Sequence, residues 1–209
     1  VPDGDTGTNM CFTLLPVAEE CKNLVTSNIS ETMDIIADKA LESARGNSGT
    51  IIAQFLHGMR KATRGKSSMN ISDVSAALLQ GFISSKESLL NPEEGTIITV
   101  MRDVSTKSAE LVDNEELIYF EDFLEQCYHH SIISLEKTKT ILKILKKSDV
   151  VDAGALGFVL LIQGWLNSFQ KNTKIQSHHL NISYEHEKIE ALKKDIDFTL
   201  HISSDENSI

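Results

Sequence analysis

The sequence has little positive charge. It contains 20 Lys and Arg residues against 30 Asp and Glu residues, which gives a formal net charge of −10, and no basic stripe is visible. Nucleic acids and anionic membrane surfaces attract proteins mainly through such stripes, because Lys and Arg must neutralise their phosphates. We therefore expect neither nucleic acid nor an anionic membrane as a partner.

Cysteines and long apolar runs are also scarce. Cys11, Cys21 and Cys127 are odd in number and form no Cys-x-x-Cys pair, so we expect buried free thiols in a reducing cytoplasm rather than a disulfide framework. The longest apolar run, residues 155–165, is interrupted by two glycines and a glutamine. It is shorter than the roughly 20 residues that a bilayer requires, so we expect a core helix and no membrane span.

Strand patterns are absent from most of the chain. Apolar residues instead recur at helical spacing in seven successive segments, which begin near residues 10, 30, 47, 71, 96, 117 and 155. Glycine, proline, asparagine or aspartate separates most of them, and the sixth extends to about residue 147. The pattern predicts an all-α protein, an up-and-down helical bundle with one main core.

The tail differs from the rest of the chain. Four apolar residues alternate there with polar ones, which predicts a short β-strand: Ile196, Phe198, Leu200 and Ile202. The strand could pack on the bundle or open a second domain, and the polar connector at residues 172–194 favours the second domain. We therefore divide the chain into a helical domain at 1–170 and a linker with the start of a following domain, or a packed tail, at 171–209.

The opening stretch, VPDGDTGTNM, has the composition of a binding site. Asp3 and Asp5 are two residues apart, so both carboxylates can face one way and offer hard oxygen ligands to Mg²⁺. Glycines at positions 4 and 7 allow backbone N–H groups to approach an anion, and the hydroxyl and amide side chains that follow lie at a helix start, where phosphate is favoured. The alternative is an ordinary turn with Asn9 as the helix N-cap.

The order of the helices extends this hypothesis. In an up-and-down bundle, the odd-numbered helices all begin at the same end. Their starts, at residues 3–9, 45–50, 94–96 and 152–157, are the ones that combine glycine with small polar residues. Four positive helix ends would suit a di- or triphosphate, with Mg²⁺ neutralising the remaining charge. The alternative is four helix starts with small capping residues.

Four strings carry a family resemblance: PDGDTGTNM, ARGNSGTI, EGTIITV and VVDAGALG. In this order and spacing they resemble the DhaL-type nucleotide-binding domain, which occurs as the ADP-binding subunit of dihydroxyacetone kinase and at the N-terminus of bacterial fatty acid kinases. The resemblance covers about residues 1–170. Pro2, Thr6 and the VVDAG form resemble the fatty acid kinase branch, since the dihydroxyacetone branch typically has His in place of Thr6.

The resemblance implies an antiparallel barrel of eight helices with nucleotide and Mg²⁺ at one rim. Seven helices are predicted here, so the family's first helix would lie upstream of Val1. By motif position, Asp3 and Asp5 would bind the metal. The residues that would contact ATP or ADP are Thr6, Gly7, Thr8 and Asn9 in the first loop, Asn47, Ser48 and Gly49 in the second, Gly95 and Thr96 in the third, and Asp152, Ala153 and Gly154 in the fourth.

The resemblance also implies a kinase that needs a partner. Phosphoryl would pass from ATP, or through a retained ADP, to an acceptor held by another protein or domain. The first hypothesis is a fatty-acid carboxylate on a DegV-type fatty-acid-binding protein, and the second is dihydroxyacetone on a dihydroxyacetone-binding subunit. A nucleotide-sensing module without catalysis remains a third. The acceptor itself is not encoded in the motifs.

Overall fold

A computed structural model describes residues 4–113, 119–142, 145–146 and 150–172. Asp3 and the predicted strand at 196–202 lie outside these residues, as does nearly all of the predicted segment 171–209. The described residues belong to one compact unit, Val1–Thr173.

Seven helices occupy most of the described residues, and no strand occurs among them. The predicted all-α bundle is confirmed. The helices are α1 Thr6–Lys22, α2 Ile29–Ser43, α3 Gly46–Thr63, α4 Ile71–Glu87, α5 Ile97–Asp113, α6 Phe120–Ile141 and α7 Ala153–Asn172.

Successive helices run antiparallel. The first N–H groups of α2 donate to carbonyls just after α3, with Ile29 bonded to Ser67 at 3.1 Å. The Ser85 hydroxyl in the last turns of α4 donates to the Ile51 carbonyl near the start of α3. Each helix packs against the next in the chain, and α7 also contacts α1 and α5. The odd-numbered helices therefore begin at a common end.

Local sequence fixes several helix ends. Asn28 caps α2 by accepting from the N–H groups of Ser30 and Glu31, and α2 begins at Ile29, close to the predicted start near residue 30. At α4, Asn70 and Asp73 form a reciprocal capping box. The sixth helix ends at Ile141 rather than near residue 147, because Leu142 adopts an extended backbone with φ −82° and ψ 127°.

The core combines apolar side chains with close backbone contacts. Phe55 of α3 and Phe158 of α7 are fully buried and meet edge to face, with ring centroids 5.0 Å apart. Gly58 and Gly81 lie where α3 crosses α4. A Cβ at Gly58 would overlap the Gln80 carbonyl, so only glycine allows the two backbones to approach this closely.

The three cysteines differ in exposure. All three thiols are free, and burial raises the pKa of Cys127 to about 12. Cys11 is exposed and Cys21 is half-buried, so the prediction that all three are buried is wrong. Among the described helices, none is both long enough and apolar enough to cross a membrane.

Candidate functional site

The start of α1 is built around Asp5. This residue precedes the helix and its carbonyl accepts from the Asn9 N–H at 2.8 Å. Its carboxylate Oδ2 accepts a second hydrogen bond, also 2.8 Å, from the Asn9 side-chain amide. The carboxylate is exposed, so it is accessible to a cation. Asp3 lies outside the described residues, and among those described no three His, Cys, Asp or Glu side chains form a metal-binding group.

The start of α3 packs against the start of α1. The Ser48 hydroxyl donates to the Thr6 carbonyl at 3.1 Å, and the Arg45 N–H donates to the Thr13 hydroxyl at 3.1 Å. Gly46 has φ +56°, and a Cβ there would overlap the Asn9 side-chain amide. The left-handed backbone therefore favours glycine at position 46, where the Asn9 amide takes the space of a side chain. The first two predicted loops are in direct contact.

The N-terminal turns of α1 and α3 differ from those of α2 and α4. Side chains of Asn28 and Asn70 satisfy first-turn N–H groups of α2 and α4. Within the described residues, Asp5 and Arg45 make no such capping bond at α1 and α3. Tyr119 makes none at α6 either, but α6 begins at the opposite end of the bundle. As far as the described residues are concerned, first-turn N–H groups of α1 and α3 are therefore open to water or an anion.

Asp152 joins the starts of α5 and α7. Its Oδ2 accepts from the Ala155 N–H at 2.8 Å, which caps α7, and from the Ile97 N–H at 3.1 Å, which caps α5. Its own N–H donates to the Thr138 hydroxyl of α6. Burial raises the pKa of the Asp152 carboxyl, although these backbone hydrogen bonds oppose the shift. The described contacts of Asp152 are structural, and its predicted contact with nucleotide stays a prediction.

The loop before α5 has a fixed backbone. Gly95 has φ +84°, and a Cβ there would lie 2.8 Å from Cβ of Ile141 at the end of α6. The Gly95 N–H donates to the Thr99 hydroxyl at 2.8 Å, and the Thr96 hydroxyl donates to the Glu93 carbonyl at 2.7 Å. The Gly95 N–H is therefore engaged within the chain.

The four predicted loops lie along one end of the bundle. The α3 start contacts the α1 start through Ser48 and Thr6. The α1 start contacts the α7 start, because a Cβ at Gly157 would lie 2.5 Å from the Met10 side chain. The α7 start contacts the α5 start through Asp152. These contacts bring the positive ends of α3, α1, α7 and α5 into one row, as the alternation of helix direction predicts. Metal-ligand and nucleotide-contact roles for the predicted residues stay predictions.

Residues that hold the loops were missed by sequence reasoning. The Thr13 hydroxyl donates to the Asn9 carbonyl at 2.8 Å and accepts from the Arg45 N–H, so it connects the first two loops. The Thr99 hydroxyl likewise accepts from the Gly95 N–H in the third loop, and the Thr138 hydroxyl accepts from the Asp152 N–H in the fourth. All three are at most 2 % exposed. A hydroxyl residue at a position of the apolar stripe is the signal that could have identified them.

Comparison with known proteins identifies the family of the chain. The family model described as the DAK2 domain matches residues 1–167. The chain belongs to the DAK2 domain family. It is thus a dihydroxyacetone-kinase-like nucleotide-binding module, and the DAK2 family is part of kinase systems. The DhaL-type resemblance is confirmed.

Relatives of this DAK2 domain come from longer proteins. An uncharacterized protein of Staphylococcus epidermidis is 32% identical over 177 residues, which cover 85% of this chain and 32% of the relative. Protein YloV of Bacillus subtilis is 33% identical over 193 residues, which cover 90% of this chain and 34% of YloV. The chain thus spans about a third of the length of these curated relatives.

Proposed function

We propose that this DAK2 domain is the Mg²⁺-nucleotide-binding part of a kinase whose acceptor is presented by a partner protein or domain. The donor would be ATP, used directly or through a retained ADP. The observation that carries the proposal is the row of four helix starts, in which no N-cap side chain of the described residues caps α1 or α3. Uncapped N–H groups at positive helix ends are a favourable environment for phosphate.

The residues present fit a phosphate and a hard cation. The absence of a side chain at Gly46 lets the Asn9 amide lie against the start of α3, and the exposed Asp5 carboxylate offers oxygen of the kind Mg²⁺ prefers. Asp5, with Asp3, would hold the metal, and the backbone of residues 6–9 and 47–49 would orient the phosphates. When bound, Mg²⁺ supplies positive charge that offsets the charge of the phosphates.

The acceptor is proposed from the family resemblance. A fatty-acid carboxylate on a DegV-type partner is our first proposal, because Thr6 and the VVDAG form at 150–154 resemble the fatty acid kinase branch. Dihydroxyacetone on a separate subunit is the second and agrees with the DAK2 family as a whole. In either case the domain would position and neutralise the donor, which is most of what phosphoryl transfer requires of a protein.

We also propose a cytoplasmic location. All three cysteines are free and Cys11 is exposed, and such thiols persist in a reducing compartment. The proposal further agrees with the use of ATP as a phosphoryl donor.

Transfer of radiolabelled phosphate from ATP tests the kinase proposal. The chain would be assayed with free fatty acid, with free dihydroxyacetone, and with each acceptor bound to its own binding protein. We expect labelled product only with a presented acceptor, and the identity of that product assigns the acceptor. Multiple turnover with a free acceptor would show that the acceptor site lies within residues 1–209. Nucleotide binding without transfer to either presented acceptor would favour a nucleotide-sensing module instead.

A further inference from the structure

A polar network lies directly behind the loop that precedes α5. The Glu94 carboxylate accepts from the Thr99 hydroxyl at 2.7 Å through Oε2 and from Arg102 Nη1 at 2.6 Å through Oε1. The same Thr99 hydroxyl accepts from the Gly95 N–H at 2.8 Å. Two side chains of α5, in the first and second turns of the helix, thus hold two consecutive residues of the loop.

The network continues into α6. Arg102 also donates to Asp103 Oδ1, with Nη2 at 3.0 Å, and Asp103 Oδ2 accepts from the Ser134 hydroxyl at 2.7 Å. Arg102 is therefore held by a carboxylate on each side, and its orientation is anchored to the neighbouring helix. Hydrogen bonds to charged groups are the stronger ones in proteins, and this chain of them connects the loop to α6.

Charge balance gives the network a second consequence. Glu94 immediately precedes Gly95 and Thr96, which are predicted to contact the nucleotide. An uncompensated carboxylate at this position would repel a polyphosphate. The hydrogen bond from Thr99, followed by the pairing with Arg102, lowers the pKa of Glu94, so the carboxylate stays ionised at neutral pH and shares the compensating Arg102 charge with Asp103.

We propose that Thr99 and Arg102 are positioning residues for nucleotide binding, because they fix the Glu94–Thr96 backbone and compensate the Glu94 charge. Neither residue needs to touch the nucleotide. The inference depends on the proposed function, since it assumes that the row of helix starts binds nucleotide.

Calorimetric titration of Mg²⁺-ADP into purified variants tests the inference. Thr99→Val keeps the side-chain shape but removes the acceptor for Gly95 and the donor to Glu94, whereas Thr99→Ser keeps the hydroxyl. We expect Thr99→Val to bind about tenfold more weakly and Thr99→Ser to bind within about threefold of wild type. A merely structural role would lower the melting temperature of Thr99→Val without changing the affinity of the folded protein.

Arg102→Gln provides an independent test if Thr99→Val folds poorly. It should also weaken Mg²⁺-ADP binding, because Glu94 loses its compensating charge. Arg60→Gln is the matched control, since Arg60 also pairs with two carboxylates, Asp34 and Asp38, but lies near the C-terminal end of α3. Its affinity should equal that of wild type.

The outcomes separate the inference from the proposed function. Absence of binding to wild type would overturn both. Wild-type binding together with unchanged affinity in Thr99→Val and Arg102→Gln would overturn the inference alone. Equal weakening in Arg102→Gln and Arg60→Gln would also overturn it, since the effect would then reflect general charge rather than position.

Discussion

Replacing Asp152 tests the contact between the starts of α5 and α7. One carboxylate oxygen accepts from the Ile97 and Ala155 N–H groups, so Asp152→Ala removes the cap of two helices at once. Loss of one N-cap costs about 1 kcal/mol, so we expect a loss of about 2 kcal/mol in the free energy of unfolding. For a domain of this size that corresponds to a fall of roughly 4–8 °C in melting temperature.

Asp152→Asn is the control for this prediction. Its side-chain oxygen can still accept both hydrogen bonds, and it removes a charge whose burial raises the pKa of the Asp152 carboxyl. We therefore expect Asn to lose less than about 1 kcal/mol. Urea unfolding followed by circular dichroism would give all three free energies. If Asp152→Ala unfolds within about 0.5 kcal/mol of wild type, the capping role assigned to Asp152 is wrong.

Two further predictions concern packing and pH. Gly58→Ala should lower the free energy of unfolding by about 1–3 kcal/mol, since its Cβ would overlap the Gln80 carbonyl. Gly164→Ala is the control, because its Cβ would enter open space, and it should be neutral or stabilising. Urea unfolding compares the two variants. Because the pKa of Glu94 is lowered, its contribution to stability is present above its unfolded-state pKa and is lost as the pH falls through the folded-state pKa. On acidification, the free energy of unfolding of Glu94→Gln should therefore fall less than that of wild type. Equal falls would contradict a stabilising role for the ionised Glu94 carboxylate.

The sequence predicts the helices well because their signals are local. Apolar spacing places all seven, and the breaks at Gly46 and around Gly95 fall where the structure has left-handed glycines. The end of α6 is less well predicted, since the helical pattern continues past Leu142 while the backbone becomes extended there. Packing of Ile141 against Gly95 accompanies this break, and it involves residues 46 positions apart.

The site can be predicted only in part from the sequence, because several of its contacts join residues that are far apart in the chain. Alternating helix direction predicts that the four loops meet, and their contacts agree. The shared cap at Asp152 depends on how α5 and α7 are juxtaposed, which no local pattern encodes. In the sequence, Thr13 and Thr99 occupy positions of the apolar stripes. Only the structure shows that their hydroxyls accept from the backbone N–H groups of Arg45 and Gly95.

Calorimetric titration of ATP, with and without Mg²⁺, into wild type and Asp5→Asn tests the central claim most directly. Asp5→Asn nearly preserves size but removes the charge proposed to hold Mg²⁺ against the phosphates. We predict Mg²⁺-dependent binding to wild type and an affinity at least tenfold lower, about 1.4 kcal/mol, in the variant. Asp122→Asn, an exposed acid in the first turn of α6, is the control and should bind as wild type does. Equal Mg²⁺-dependent affinities for wild type and Asp5→Asn would contradict the account.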